Sequence, residues 1–324
     1  MSKPIKTDKN LPTRQIVHLD KEDYITVVGA RTATTDISLS GATRFFQSPV
    51  GNQYMFINQG LRQLHLFPKT TADHSKQNIL VVFQHGYTSN DISRINQYTK
   101  DLGARIVYVK TVAQFIEFLN ARIEKGRLIK RLVFYSHGVI GSISLHYGGD
   151  DEQLGNFNNT SVKQIKKNIF HHDAQVISYA CRTGIGVDKD SFKNSAEAKP
   201  ETSLAQYMAN QWKVTVKAFE RRSLYAKTYG TASEIKAVDE ASKLLKEYET
   251  QLDRYNKKIT SKKPIMPTNY KLLKTRRESK IIRDDNANND GGPIMPLGAW
   301  HPPTSGETPS GLKYGLQTYQ FKAP

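Results

Sequence analysis

Apolar residues in this chain fall in short runs that alternate with stretches of helical spacing, most regularly between Asn78 and Tyr225. NILVVFQHG is a near-continuous apolar run, and DISRINQYTKDLG behind it has helical spacing and a Gly stop. ARIVYVKT repeats the strand pattern, and VAQFIEFLNARIEKG repeats the helix, with Val112, Phe115, Ile116 and Leu119 at helical spacing. RLVFYSHG is a third strand, followed by the short segment SISLHYG, a third helix in TSVKQIKKNIFHH and a fourth strand in AQVISYACRTG. SLAQYMANQW, opened by Ser203 as N-cap, is a fourth helix, and VTVKAFERRSLY is a fifth strand. Strands apolar on both faces, alternating with helices, predict a mostly parallel sheet covered on both sides. The expected fold is α/β, with about five parallel strands and helices on both faces.

Outside this region the pattern changes. From Tyr24 to about Pro68 it suggests β structure: YITVVGA, then RFFQ and YMFINQ flanking the turn-like SPVGN, then LHLF. Residues 1–77 are therefore expected to form an N-terminal β extension before a core over 78–231. In 232–258, Ile235, Val238, Ala241, Leu245, Tyr248, Leu252 and Tyr255 form an apolar helical seam. That seam packs either on the parent domain or against a partner helix. A third section, 232–290, joins this helix to a basic segment, and 291–324 is rich in Gly and Pro. The aromatic and aliphatic residues of that tail argue for an ordered loop packed on the core.

Composition narrows the function. The chain has 324 residues, 38% of them apolar, and no run approaches the roughly 18 apolar residues of a membrane span. MSKPIKTDKN has no apolar core behind its charges, so no cleaved leader is expected. The expected location is the cytoplasm, or outside the cell by a route that needs no cleaved signal. The net charge is +17, and residues 254–283 hold eleven Lys and Arg against Glu278 alone. That segment is either a solvated charge run or a site for an acidic partner, membrane surface or nucleic acid. It has no aromatic interleaving of the kind that stacks bases. His171, His172 and Asp173 suggest a metal only weakly, because adjacent residues point to different faces, and no metal is expected.

The chain has one cysteine, which rules out an internal disulfide or a Cys-rich zinc site. In an open parallel sheet ligands bind beyond the carboxyl ends of the strands. Strand three ends in Ser136-His137-Gly138, and strand four in Ala180-Cys181-Arg182-Thr183-Gly184. If those strands are neighbours, an imidazole and a thiol overlook one crevice, and the imidazole can take the thiol proton. Gly138 and Cys181 are the natural backbone donors to a developing oxyanion.

A hydrophobic strand ending in SHG, followed by one ending in ACR-x-G, resembles the clan of cysteine peptidases that includes caspases, gingipains, clostripain and separase. YACRTG is close to the caspase QACRG, with Tyr for Gln and an inserted Thr, and the resemblance covers roughly residues 78–225. It implies a caspase-like peptidase with His137 as base, Cys181 as nucleophile, and Gly138 with Cys181 as oxyanion donors. The implied substrate is a protein or peptide, and no metal or organic cofactor is required. The ending GAWHPPTSGETPSGL also resembles uncharacterised bacterial caspase-like proteins, some of them similar to type VI secretion effectors, which implies an effector or toxin.

Pocket candidates follow from position. His85 ends strand one near the same crevice, Asp188 and Asp190 follow the nucleophile and would suit a basic substrate residue, and Trp300 on a Pro-bounded loop would wall a groove. GVDKDSFKNSAEAKPETS stands where caspases carry a cleavable linker and reads as an exposed loop. Three other readings stand beside the peptidase. One is a catalytically silent caspase-like binding module, and another a nucleic-acid-binding protein. The third is an α/β-hydrolase-type esterase, for which Phe134-Tyr135-Ser136-His137-Gly138 is the nearest, imperfect nucleophile elbow.

Overall fold

The computed structural model describes residues 21–30, 54–147, 152–225, 228, 230–277 and 294–322. In chain order, β1 (Lys21–Val28), α1 (Met55–Leu66), β2 (Lys76–Phe83), α2 (Ser89–Asp101), β3 (Arg105–Val109), α3 (Val112–Glu124) and β4 (Arg127–Tyr135) come first. Three short strands, β5 (His137–Val139), β6 (Ser142–Ser144) and β7 (Asn156–Asn158), form a separate antiparallel sheet at the end of β4. Next come α4 (Asn159–Gln164), β8 (Phe170–Ser178), α5 (Leu204–Trp212), β9 (Thr215–Phe219) and β10 (Ser223–Leu224). The chain continues through α6 (Ala232–Asn256), α7 (Tyr270–Arg277), β11 (Thr304–Ser305) and β12 (Leu316–Tyr319).

The main sheet has seven strands in the order β12-β9-β8-β4-β1-β2-β3. All neighbouring pairs are parallel except β12 with β9. Alternate side chains of β1 and β2 enter two cores. Ile25, Val27, Ile79, Val81 and Phe83 face α3, α4 and α5, whereas Tyr24, Val28, Leu80 and Val82 face α1 and α2. The α/β sheet expected from the alternating pattern is thus present, and it is covered on both faces as a parallel sheet requires.

Several elements differ from the sequence reading. YITVVGA is a strand, but β1 lies between β4 and β2 in the middle of the sheet, so this segment belongs to the core rather than to an extension of it. YMFINQ and LHLF are not strands. They form α1, whose buried Ile57, Leu61 and Leu64 repeat at helical spacing. Gly60 looks like a helix breaker, yet a Cβ there would lie 2.5 Å from Val28 Cγ1, so glycine is what lets α1 approach β1. RFFQ and the SPVGN hairpin lie outside the described residues. The third helix is shorter than expected, because β8 begins at Phe170 and takes in His171, His172 and Asp173. Over residues 294–322 the tail does more than pack as a loop: β12 adds an edge strand to the main sheet, and β11 pairs with β10.

Part of the apolar seam of α6 packs on α7. Ala241 and Leu245 form a separate small cluster with Leu273 and Tyr270 of α7, and Tyr248 meets Tyr270 edge-on at 5.7 Å. The two helices form a hairpin with its own core.

At the amino edge of the sheet the carboxylate of Asp23, fully buried, is met by Arg127 Nε at 2.5 Å and Arg122 Nη1 at 3.4 Å. Removing the anion would leave two buried cations without a counter-charge. Asp23→Ala is therefore expected to cost about 3–5 kcal/mol in urea unfolding. A loss under about 1 kcal/mol would show that the cluster does not anchor β1.

Candidate active site

His137 follows the carboxyl end of β4, and Cys181 that of β8. In the ladder between these strands Phe134 pairs with Ser178, and the Tyr179 N–H donates to the Phe134 carbonyl at 2.9 Å. Beyond the ladder, the segment after β4 that carries His137 and Gly138 meets the segment after β8 that carries Cys181. The backbones are in close contact there. A Cβ on Gly138 would lie 2.6 Å from the Cys181 carbonyl oxygen and 2.8 Å from its nitrogen, so position 138 admits no side chain.

The thiol is half-buried and its sulfur is held by β10. Ser223 N–H donates to Cys181 Sγ at 3.2 Å, and the Ser223 hydroxyl lies 3.1 Å from the same sulfur. Arg182 directly follows the cysteine, with φ of 55°, and is buried. Its Nη1 bonds Asp188 Oδ1 at 2.6 Å. Burial, and then the like charge of Arg182, push the pKa of Arg222 down from its ordinary value, and Cys181, Asp188 and Asp190 lie within its electrostatic reach.

The imidazole of His137 meets Phe56 of α1 edge-on at 4.9 Å and Tyr147 at 5.1 Å. Phe56 in turn meets Tyr225 at 5.3 Å. The ring keeps some contact with solvent, yet burial among these neighbours pushes its pKa down from 6.5 to about 4. A neutral imidazole near pH 7 can accept a proton.

The predicted pocket residues divide. His85 stacks on His146 at 3.8 Å with the rings 5° from parallel, and Tyr147, next in sequence, contacts His137; His85 thus joins the same end of the sheet through a neighbour that sequence reasoning missed. Asp188 is exposed but engaged by Arg182, which limits it as a counter-charge for a basic substrate residue. Asp190 is also exposed, and its carbonyl accepts from the Ser310 N–H at 3.2 Å. Trp300 bonds through its backbone to Thr228 and Arg62 and leaves its side chain 56% exposed. The stretch after Cys181 is not simply a solvated loop, because Phe192 and Ala198 are buried with Ile185 and Leu312.

Four contributors were not legible in the chain. Ser223, Phe56, Tyr147 and Arg222 come from distant segments and share no motif with His137 or Cys181. The hydrolase-like elbow is closed off: Ser136 is 1% exposed and its hydroxyl donates to the Ser144 carbonyl.

His171, His172 and Asp173 do come together, contrary to the sequence expectation, each with a ligand atom within 4.8 Å of the others. A bulge explains it, since Ile129 pairs with Phe170 but Arg131 pairs with Gln175. The Lys130 ammonium lies 2.6 Å from Asp173 and 3.2 Å from His171 Nδ1, and it holds the Asp173 carboxyl down to about 2. A cation is therefore already supplied by the chain.

No family model matches the chain, and no curated protein or solved structure matches it significantly.

A histidine that resists protonation when folded, but not when unfolded, ties stability to pH. Its contribution is complete above about pH 6.5 and is lost as pH falls toward about 4. The melting temperature of the wild type is expected to fall across that window more steeply than that of His137→Phe. Parallel curves for the two proteins would show that the imidazole is not desolvated.

Proposed function

We propose that this chain is a cysteine peptidase that cleaves peptide bonds through an acyl-enzyme, with Cys181 as nucleophile and His137 as base. The observation that supports the reading is the packing of Gly138, next to His137, on the backbone of Cys181, together with an imidazole kept neutral by burial. His137 takes the thiol proton, and the sulfur attacks the scissile carbonyl carbon. The backbone N–H groups of Gly138 and Cys181 are assigned to the oxyanion. As the tetrahedral intermediate collapses, the C–N bond breaks and imidazolium returns the proton to the leaving amine. Water, deprotonated by His137, then hydrolyses the thioester and regenerates the thiol. Ser223 is the positioning residue, since its N–H and hydroxyl hold the sulfur and stabilise its anion. The residues fit the caspase-like clan suggested by SHG and ACRTG. No step calls for a metal or an organic cofactor, and a role as a bacterial effector rests on the resemblance of the tail alone.

One observation favours the silent binding module as a second reading. The strand that carries Ser223 is already paired: Ser223 with Ser305 and Leu224 with Thr304. Peptides are often bound by adding a strand to a free edge, and here the edge is taken by the chain's own tail.

Exposure to a library of peptidyl acyloxymethyl ketones, followed by mass spectrometry, separates the two readings. Selective labelling of Cys181 is expected, slowed at least ~100-fold in His137→Ala. The preferred residue next to the scissile bond would define the substrate class. Cys181 reacting no faster than free cysteine, or equally fast without His137, would sink the peptidase and leave the binding module.

Ser223→Ala removes the hydroxyl and keeps the backbone donor. It is expected to slow labelling at neutral pH by about tenfold and to move the pH profile of labelling upward, with recovery at high pH where the thiolate forms unaided. A slower rate with an unmoved profile would reduce Ser223 to packing.

A further inference from the structure

We propose that the tip of the α6–α7 hairpin is a docking site for an anionic lipid surface. Helix α6 ends in a Schellman turn, with Lys258 N–H donating to the Tyr255 carbonyl and Ile259 N–H to the Arg254 carbonyl, both at 2.9 Å. The left-handed position, usually glycine, is Lys258 with φ of 57°. In this motif the residue after the left-handed position commonly packs back on its helix. Ile259 instead stays 63% exposed. Across the tip, Ile265 is 89% exposed and Met266 57%. Lys257, Lys258, Lys262 and Lys263 are exposed among them. Lys257 has Asp253 as an ion-pair partner at 2.8 Å. From Arg254 to Arg277 the sequence has nine cations and no acidic residue.

Two features of this tip select the partner. A purely electrostatic partner has no use for three projecting apolar side chains, and KKITSKKPIM contains no aromatic residue on which a nucleic-acid base would stack. A protein interface of ordinary size centres on a buried apolar core from which charges are depleted, whereas here lysines and apolar side chains alternate. The boundary between headgroups and acyl chains accepts both: apolar side chains enter it while lysines meet lipid phosphates. No helix among the described residues is long and apolar enough to cross a membrane, so the contact is interfacial. Pro264 and Pro267 flank the exposed Ile265-Met266 pair and restrict the chain there, which lowers the entropy lost on docking.

The test is co-sedimentation of the full chain with vesicles of phosphatidylcholine, with and without phosphatidylglycerol. Binding to the anionic vesicles is expected, at least about tenfold tighter than to neutral ones. Ile265→Asp with Met266→Asp is expected to weaken it more than about tenfold. Lys262→Ala with Lys263→Ala is expected to weaken it by about 25-fold, at roughly fivefold per cation. Both pairs lie on exposed residues, so the melting temperature and Cys181 labelling should be unchanged, which separates this test from that of the peptidase. The proposal is overturned if anionic vesicles do not bind at low salt, or if the apolar substitutions leave binding intact. It is equally overturned if an oligonucleotide binds more tightly through the same lysines and displaces the vesicles.

Discussion

Asp23 sits without solvent contact at the start of β1, between the guanidinium groups of Arg127 and Arg122. An anion in that position is tolerated only with its partners in place, so it fixes β1 against the first residue of β4 and the last turns of α3. Parallel strands advance by roughly 3.3 Å per residue, so a register set at the amino edge is carried to the carboxyl edge. A slip of one residue would exchange the two faces of β1 and expose one core. The charge cluster therefore lies at the opposite end of the sheet from the thiol while constraining what the thiol can face.

The carboxyl edge depends on a second constraint, the close approach of backbones. Gly138 packs directly on the Cys181 backbone, and Gly29 abuts the buried Ser136. Around this point the long strands give way to the small sheet of β5, β6 and β7 and to β10. The tail completes the arrangement. Arg221, buried, bonds the carbonyls of Leu312 and Glu307, while Arg222 N–H reaches the Thr308 carbonyl and Gly306 N–H the Arg222 carbonyl. The strand that holds the cysteine sulfur is thus fastened from its far side by residues some ninety positions later. Any change that loosens the tail alters the environment of Cys181, although the tail carries none of the proposed chemistry.

The sequence conveyed some of this and not the rest, for physical reasons. Strands buried on both faces are continuous apolar runs, so β2, β4, β8 and β9 were legible, as was the placing of His137 just after β4 and of Cys181 just after β8. The place of β1 was not, because a strand's neighbours are decided by pairing between distant segments. Helix α1 was read as strands because Gly60 and a dense apolar stretch obscure its period, and the glycine is there for contact with Val28. Ser223 offered no signal, since a serine after two arginines resembles any strand end. His171 and Asp173 share a face in any strand, but the gathering of His172 with them goes with a register shift between β4 and β8, which disturbs the alternation that adjacent residues otherwise obey.

The distribution of charge follows the same division between buried constraint and open surface. In and around the sheet several cations have an anion beside them: Arg122 and Arg127 have Asp23, Lys130 has Glu22 and Asp173, and Arg182 has Asp188. On the α6–α7 hairpin the cations from Arg254 to Arg277 have no acidic residue between them, although Lys257 pairs with Asp253 just before, and some stand among exposed apolar side chains. Unmatched charge inside the fold would cost stability, but at the end of a hairpin with its own small core it costs little. It also creates a long-range field that the matched pairs of the sheet do not. The excess charge of this chain is therefore not a diffuse property. Much of it is concentrated between Arg254 and Arg277, on a hairpin whose two helices share a small cluster of their own.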